Sequence, residues 1–259
     1  ARKALEINDS ALNGAILAMA LDWTSQYDEA IKVALAAVDK DPLSAEAHAA
    51  LAEVYADRNN WARALDEAEQ AVKLDPNSAF VQRNLGYVLS MQGRYDDALD
   101  TYAKAAELAP KLGYIYISAG NIYMALNQYE DAIAQFEKAV QANPDTPVGY
   151  DLLGHASALN GDPDRAISTL RKAIELDPEY ASAYAHLGRA YYTLLNWESA
   201  IENFNKAFAM GLKNEEYFYE LGLAYSYLED CANARIWLEK ALEENPNSRP
   251  AQDGLRRCT

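Results

Sequence analysis

Prolines recur along this chain at one fixed interval. Pro42, Pro76, Pro110, Pro144 and Pro178 are each 34 residues apart. The next slot holds Leu212, and Pro246 follows 34 residues later. A period in this range marks a stacked architecture in which each copy is one small supersecondary unit. Setting the proline slot as position 32 divides the chain into repeats at 11–44, 45–78, 79–112, 113–146, 147–180, 181–214 and 215–248. Other positions agree with that frame. Position 8 is always small: Ala18, Ala52, Gly86, Gly120, Gly154, Gly188 and Gly222. Position 20 is alanine throughout (Ala30 to Ala234), as is position 27 (Ala37 to Ala241). Position 17 is a large aromatic in Tyr27, Trp61, Tyr95, Tyr129 and Trp197, with Pro163 and Cys231 as exceptions.

The residue choices predict two helices per repeat. Positions 4, 7, 8 and 11 share one face of a first helix, and positions 20, 24, 27 and 28 one face of a second. Small residues at 8 and 20 permit close approach, and larger ones at 7, 11 and 24 fill the space around them. Asn59, Gly93, Asn127 and Gly161 at position 15 suit a tight interhelical turn. Asp162-Pro163 reads as an N-cap followed by proline in the first turn. Gly211 replaces the usual Asp-Pro stop and is expected to end its helix in a left-handed cap. Repeats 1 and 2 carry Ala34 and Ala68 at position 24, where others have Tyr102, Phe136 or Phe204. They are expected to pack tightly and to offer few large anchors.

This pattern of small and large positions resembles the tetratricopeptide (TPR) family from Ala11 to Ser248. The resemblance implies an all-α fold: an α-solenoid of tandem helix-turn-helix hairpins forming a right-handed superhelix. Residues 1–10 resemble the tail of a preceding second helix. Residues 249–259 resemble a partial C-terminal helix that frays or ends at a cut. A chain opening inside a repeat is expected to be a fragment or a processed product.

The resemblance also implies that positions 2, 5, 6, 9, 12 and 13 look into a concave groove. The candidate peptide-binding residues there are Phe80, Arg83, Asn84, Tyr87, Tyr114, Ile117, Asn121, Met124, Asp151, His155, Arg189, Tyr192 and Tyr219. Glu46, Glu53 and Asp57 make one end of that face acidic, and Met91, Glu216, Glu220 and Tyr227 lie on it too. Aromatic and methionine anchors would supply burial, while Arg83, Asn121 and Arg189 would supply directed hydrogen bonds. Tyr192 and Tyr219 serve equally well as packing residues, and both arginines could pair with neighbouring acids instead. The family's carboxylate clamp needs a cluster of Lys, Arg and Asn. Here the corresponding positions hold Arg83, Tyr87, Ser118, Val148 and Leu152, so that mode of binding is not expected.

A formal net charge of −16 argues against nucleic acid and against anionic membrane surfaces as ligands. No apolar run is long enough for membrane insertion. No glycine-rich phosphate loop and no nucleophile–base spacing appears, so neither an enzyme nor a cofactor site is expected. His48 falls at a packing position and His186 near the core edge. Asp151 and His155, one turn apart, could form half a metal site on an exposed face, with no second pair opposite. Cys231 and Cys258 either pair as a disulfide or remain reduced, as a cytosolic setting would dictate. Cytoplasm is the default location, with an export signal upstream left open. The leading expectation is a non-catalytic scaffold that binds a protein or peptide segment. The alternatives are a structural module that self-associates through its solenoid ends, and a regulatory arm of a larger enzyme.

Overall fold

The computed structural model describes residues 10–258, so the expected helix tail over residues 1–10 lies almost wholly outside the described residues. The described residues form fifteen α-helices and no strand. They fall into two compact units that divide after Leu126. The first unit contains α1 (Ala11–Trp23), α2 (Tyr27–Lys40), α3 (Ala45–Asp57), α4 (Trp61–Leu74), α5 (Ala79–Met91), α6 (Tyr95–Leu108) and α7 (Gly113–Ala125). The second contains α8 (Tyr129–Ala142), α9 (Pro147–Leu159), α10 (Pro163–Leu176), α11 (Ala181–Thr193), α12 (Trp197–Ala209), α13 (Glu215–Tyr227), α14 (Cys231–Glu244) and α15 (Arg249–Arg257). In each unit, consecutive helices pack as antiparallel hairpins, and each first helix also touches the first helix of the next hairpin.

The invariant alanines are where the helices meet. Ala30, Ala64, Ala98, Ala132, Ala166, Ala200 and Ala234 are all fully buried, and the position-27 alanines nearly so. Positions 8 and 24 form a complementary couple inside the hairpins that lie within one unit. A Cβ on Gly86 would stand 2.8 Å from the Tyr102 ring, one on Gly154 2.5 Å from Leu170 Cγ, and one on Gly188 2.8 Å from the Phe204 ring. On Gly222 it would stand 2.6 Å from Leu238 Cγ. Ala18 and Ala52, by contrast, share a core with Ala34 and Ala68. Glycine stands at position 8 in the hairpins whose position 24 is large, and alanine where it is small. Close packing requires this, because the interhelical gap has room for only one large group.

The ends of the helices follow equally local rules. Ser10, Ser44 and Ser78 each accept a hydrogen bond from a backbone N–H three residues on. Asp162 does the same for Arg165 N at 3.0 Å, with Pro163 opening α10. The turn at position 15 is left-handed in every copy. Asn59, Gly93, Asn127 and Gly161 adopt φ of 56°, 74°, 57° and 82°, and Ser25, Leu195 and Glu229 do so at 59°, 59° and 62°. Gly211 ends α12 at φ 91°, as expected. A further device was not anticipated. The position-4 side chains of His48, Gln82, Tyr116 and Gln252 each reach back to the carbonyl of the proline six residues earlier. They satisfy a carbonyl of the turn that follows each helix, one residue beyond its C-cap.

The C-terminus corrects one expectation. Residues 249–257 neither fray nor hang free. Helix α15 docks on α13 and α14, burying Ala251 and Gly254. Cys231 and Cys258 are joined in a disulfide. Arg235 Nη2 donates to the Cys258 carbonyl at 2.5 Å.

Candidate interaction surface on the first helices

In the first unit, α1, α5 and α7 bound a pocket of about 330 Å³ lined by Met19, Trp23, Phe80, Arg83 and Tyr114. Trp23 is 71 % exposed and Tyr114 41 % exposed, while Phe80 is half-buried. Arg83 forms the pocket's polar wall, and its guanidinium lies over the rings of Tyr87 and Tyr114, 5.4 and 5.9 Å from their centroids.

Arg83 is already paired. Its Nη1 donates to Glu53 Oε2 and to Asn84 Oδ1, both at 2.7 Å. Glu53, only 3 % exposed, uses its other oxygen to accept from Trp23 Nε1 at 3.3 Å. Tyr87 donates its hydroxyl to Asp57. Asp22 is buried beside them, and among the described residues no donor meets either of its carboxyl oxygens. Burial, then contact with Asp57 and the charge of Glu53, raise the Asp22 carboxyl far above the ordinary carboxylate range. Burial and the same acids raise the Tyr87 hydroxyl.

The second unit holds a buried polar chain beneath the equivalent helix face. His186 Nδ1 donates to Asp151 Oδ1 at 2.7 Å, and Ser182 Oγ donates to Asp151 Oδ2 at 3.0 Å. The His155 ring stacks on His186 at 3.9 Å. Burial, with the charges of His186 and Arg189, lowers His155 to about 3, so it is a neutral ring at physiological pH, and its Nε2 meets no partner among the described residues. Arg189 Nε donates to both oxygens of Glu220 at 3.1 and 3.2 Å. Its Nη2 lies 2.9 Å from Glu216 Oε2, close enough for an ion pair but not aligned as a hydrogen bond. Burial pushes the Glu220 carboxyl up to about 7 against the pull of Arg189. Beside this chain, Tyr192 packs edge-on to Trp197, which stacks on the exposed Tyr227 at 4.3 Å, and Arg257 covers that tyrosine from 4.6 Å.

These placements revise the sequence-derived candidates. Phe80, Arg83 and Tyr114 come together around one pocket. Asn121 is exposed, and Ile117, Met124, Tyr87, Tyr192 and Tyr219 are half-buried. Asn84, Asp151 and Arg189 are not open to solvent: they are 0 %, 2 % and 9 % exposed. The next hairpin's first helix covers Asp151 at position 5 with Ser182 and His186, and Arg189 at position 9 with Glu220. His155 is likewise no surface ligand but one face of a ring stack. The exposed Asp151–His155 half-site is therefore corrected: Asp151 is spent on His186 and Ser182. Among the described residues no group of three or more His, Cys, Asp or Glu side chains converges as a metal site, and no helix is long and apolar enough to cross a membrane.

Sequence reasoning missed Met19, Asp22 and Trp23. The signal was available, because they stand at positions 9, 12 and 13 of the first repeat, the face already used elsewhere. The alanine at position 24 drew attention to tight packing behind α1 and away from its other side.

Tetratricopeptide repeat family models match residues 17–79, 50–112, 89–156 and 186–249, and a TPR repeat model matches 158–194. No curated protein matches the chain by sequence. Among solved structures, one chain of the Cut9-Hcn1 hetero-tetramer of the APC/C aligns at 22 % identity and TM-score 0.82, covering 99 % of this chain and 51 % of that one. The chain thus spans about half the length of that relative. YrrB, a TPR protein described as having an unusual peptide-binding site, aligns at 25 % identity and TM-score 0.57, covering 73 % of this chain and 97 % of its own. PilF of Pseudomonas aeruginosa aligns at 20 % identity and TM-score 0.71, covering 81 % and 95 % respectively. The repeat frame, the hairpin packing and the family matches lead to one conclusion: the chain belongs to the tetratricopeptide repeat family, whose fold is typical of protein–protein interaction scaffolds.

Proposed function

We propose that the chain is a non-catalytic scaffold that holds a segment of a protein partner along the face of its first helices. The pocket between Trp23, Phe80 and Tyr114 carries this reading. Large aromatic groups left standing in water around a concavity are the usual anchors of an interface, since their burial is a large part of what association gains. Peptide binding by YrrB supports it by analogy of fold. The buried polar chain of the second unit serves as rigid support for its face rather than as chemistry. The Cys231–Cys258 disulfide favours an oxidising compartment over the cytoplasm that the sequence suggested by default.

The test is selection of a random peptide library on the wild-type protein and on a Trp23→Ala/Tyr114→Ala variant whose circular dichroism matches it. Both side chains are largely exposed, so the fold is expected to survive. Peptides recovered on the wild type should lose binding to the variant. Peptides held equally by both proteins would move the interface elsewhere and defeat the proposal.

A further inference from the structure

Which kind of segment the pocket receives follows from the charges around it. Among the described residues the one cation lining it is Arg83, which is neutralised by Glu53 and stacked on Tyr87 and Tyr114. Both oxygens of Glu53 are used, one by Arg83 and one by Trp23. Among the described residues, what remains uncompensated is the negative charge of Asp57, which receives a neutral hydroxyl from Tyr87 and has the buried carboxyl of Asp22 beside it. A carboxylate partly withdrawn from water and without a cation costs free energy that a cationic guest would recover.

Resting on the scaffold reading above, we propose that the partner segment is basic: one large apolar side chain enters the Met19–Trp23–Phe80–Tyr114 pocket, and a lysine or arginine next to it meets the half-buried Asp57. The pocket volume, about 330 Å³, is at the small end of binding cavities and suits one side chain rather than a folded element. The acids connect directly to the pocket. Asp57 is bonded to Tyr87, whose ring lies under the Arg83 guanidinium. An acidic segment is disfavoured here. Arg83 would have to leave Glu53 to meet it, and Glu53 would then be buried without a counterion. The raised Asp22 carboxyl agrees with a site that lacks a cation when empty.

The probe is a set of three synthetic peptides that share a Leu-Trp-Leu centre and carry lysine, glutamine or glutamate on both sides. Binding is followed by fluorescence anisotropy at low and high salt. The lysine peptide should bind about tenfold more tightly than the glutamine peptide, as one desolvated charge pair would give. The glutamate peptide should be weakest, and the lysine advantage should shrink in salt. Asp57→Asn keeps an acceptor for Tyr87 and should erase the lysine advantage while leaving the glutamine peptide unchanged. Asp22→Asn, at a buried carboxyl that burial keeps protonated at neutral pH, is the control and should leave the lysine advantage in place. Trp23→Ala should weaken all three peptides by the same factor.

A glutamate peptide that binds as well as the lysine peptide would overturn the inference. So would a lysine advantage that survives in Asp57→Asn. If the glutamine peptide binds, is lost on Trp23→Ala and is not improved by lysine, the scaffold reading stands and the basic-partner inference falls. If none of the three binds, the inference also falls, and the library selection still judges the scaffold reading by itself.

Discussion

Reduction of the Cys231–Cys258 disulfide should release the last helix while leaving the rest of the second unit folded. The bond closes a loop with a sequence separation of 27. On the chain-entropy account, which is one of two competing accounts of disulfide stabilisation, a loop of that length contributes about 3.5 kcal/mol. Helix α15 has few other attachments. It is nine residues long and buries little beyond Ala251, Gly254 and Cys258. A helix this short is marginal in water without tertiary support. Losing about 3.5 kcal/mol should therefore raise the opening equilibrium of α15 about 300-fold. Hydrogen exchange of the backbone amides of Gln252 to Leu255, measured with and without a thiol reductant, reads this directly. Exchange there should accelerate by about two orders of magnitude, and amides of α12, packed around the buried Phe204, should not change. Cys258→Ser should reproduce the effect without reductant. Unchanged protection in α15 after full reduction would refute the reasoning, because the helix would then be held by packing and by the Arg235 hydrogen bond alone.

Three further outcomes are expected. Glu53→Gln leaves the Arg83 guanidinium without its counterion in a largely buried setting and should cost about 3–5 kcal/mol in urea unfolding; a loss below about 1 kcal/mol would show the pair to be of surface type. Leu195 holds φ 59° at a turn and is 66 % exposed, so Leu195→Gly should stabilise by about 0.5–1 kcal/mol by removing left-handed strain, and a lower urea midpoint would contradict that. The two units should differ in their response to pH. The Asp22 carboxyl is raised in the fold, so its contribution is present below the ordinary aspartate value of 3.8 and is lost as pH rises through the neutral range; His155 is lowered from 6.5 to about 3, so its contribution is present above 6.5 and is lost as pH falls toward 3. Stability difference curves for Asp22→Asn and His155→Gln against wild type should therefore slope in opposite directions, and parallel curves would be inconsistent with both burials.

Much of the fold was legible because its determinants are local. The alanines at positions 20 and 27, the left-handed turn at position 15 and the Asp162 cap act within one hairpin, where periodicity is the geometry itself. The surface was less legible because a 3.6-residue repeat gives the direction of a side chain but not its depth. Asn84, Asp151 and Arg189 do point along the predicted face. They are buried because the following first helix lies across them, and that is a property of the neighbour. One sequence signal could have revealed this: partners stand 30 residues apart, as Trp23 to Glu53, Glu53 to Arg83, and Asp57 to Tyr87. An offset of 30, position 13 of one repeat to position 9 of the next or position 9 to position 5, is not visible when each repeat is read by itself. Asp151 and His186, 35 apart, and Arg189 and Glu220, 31 apart, follow the same logic in the second unit.

The small-against-large couples at positions 8 and 24 differ from these polar links in what they allow a genome to do. A hairpin carries both halves of its own steric lock, Gly188 with Phe204 or Ala52 with Ala68, so copying or moving it as a block leaves its interior intact. The charged links run the other way. Glu53 is satisfied only if the next block supplies Arg83, and Arg189 only if the next supplies Glu220. Duplication can thus multiply the blocks freely, while their order is read like an address: a block inserted between Glu53 and Arg83 would leave two buried charges facing strangers.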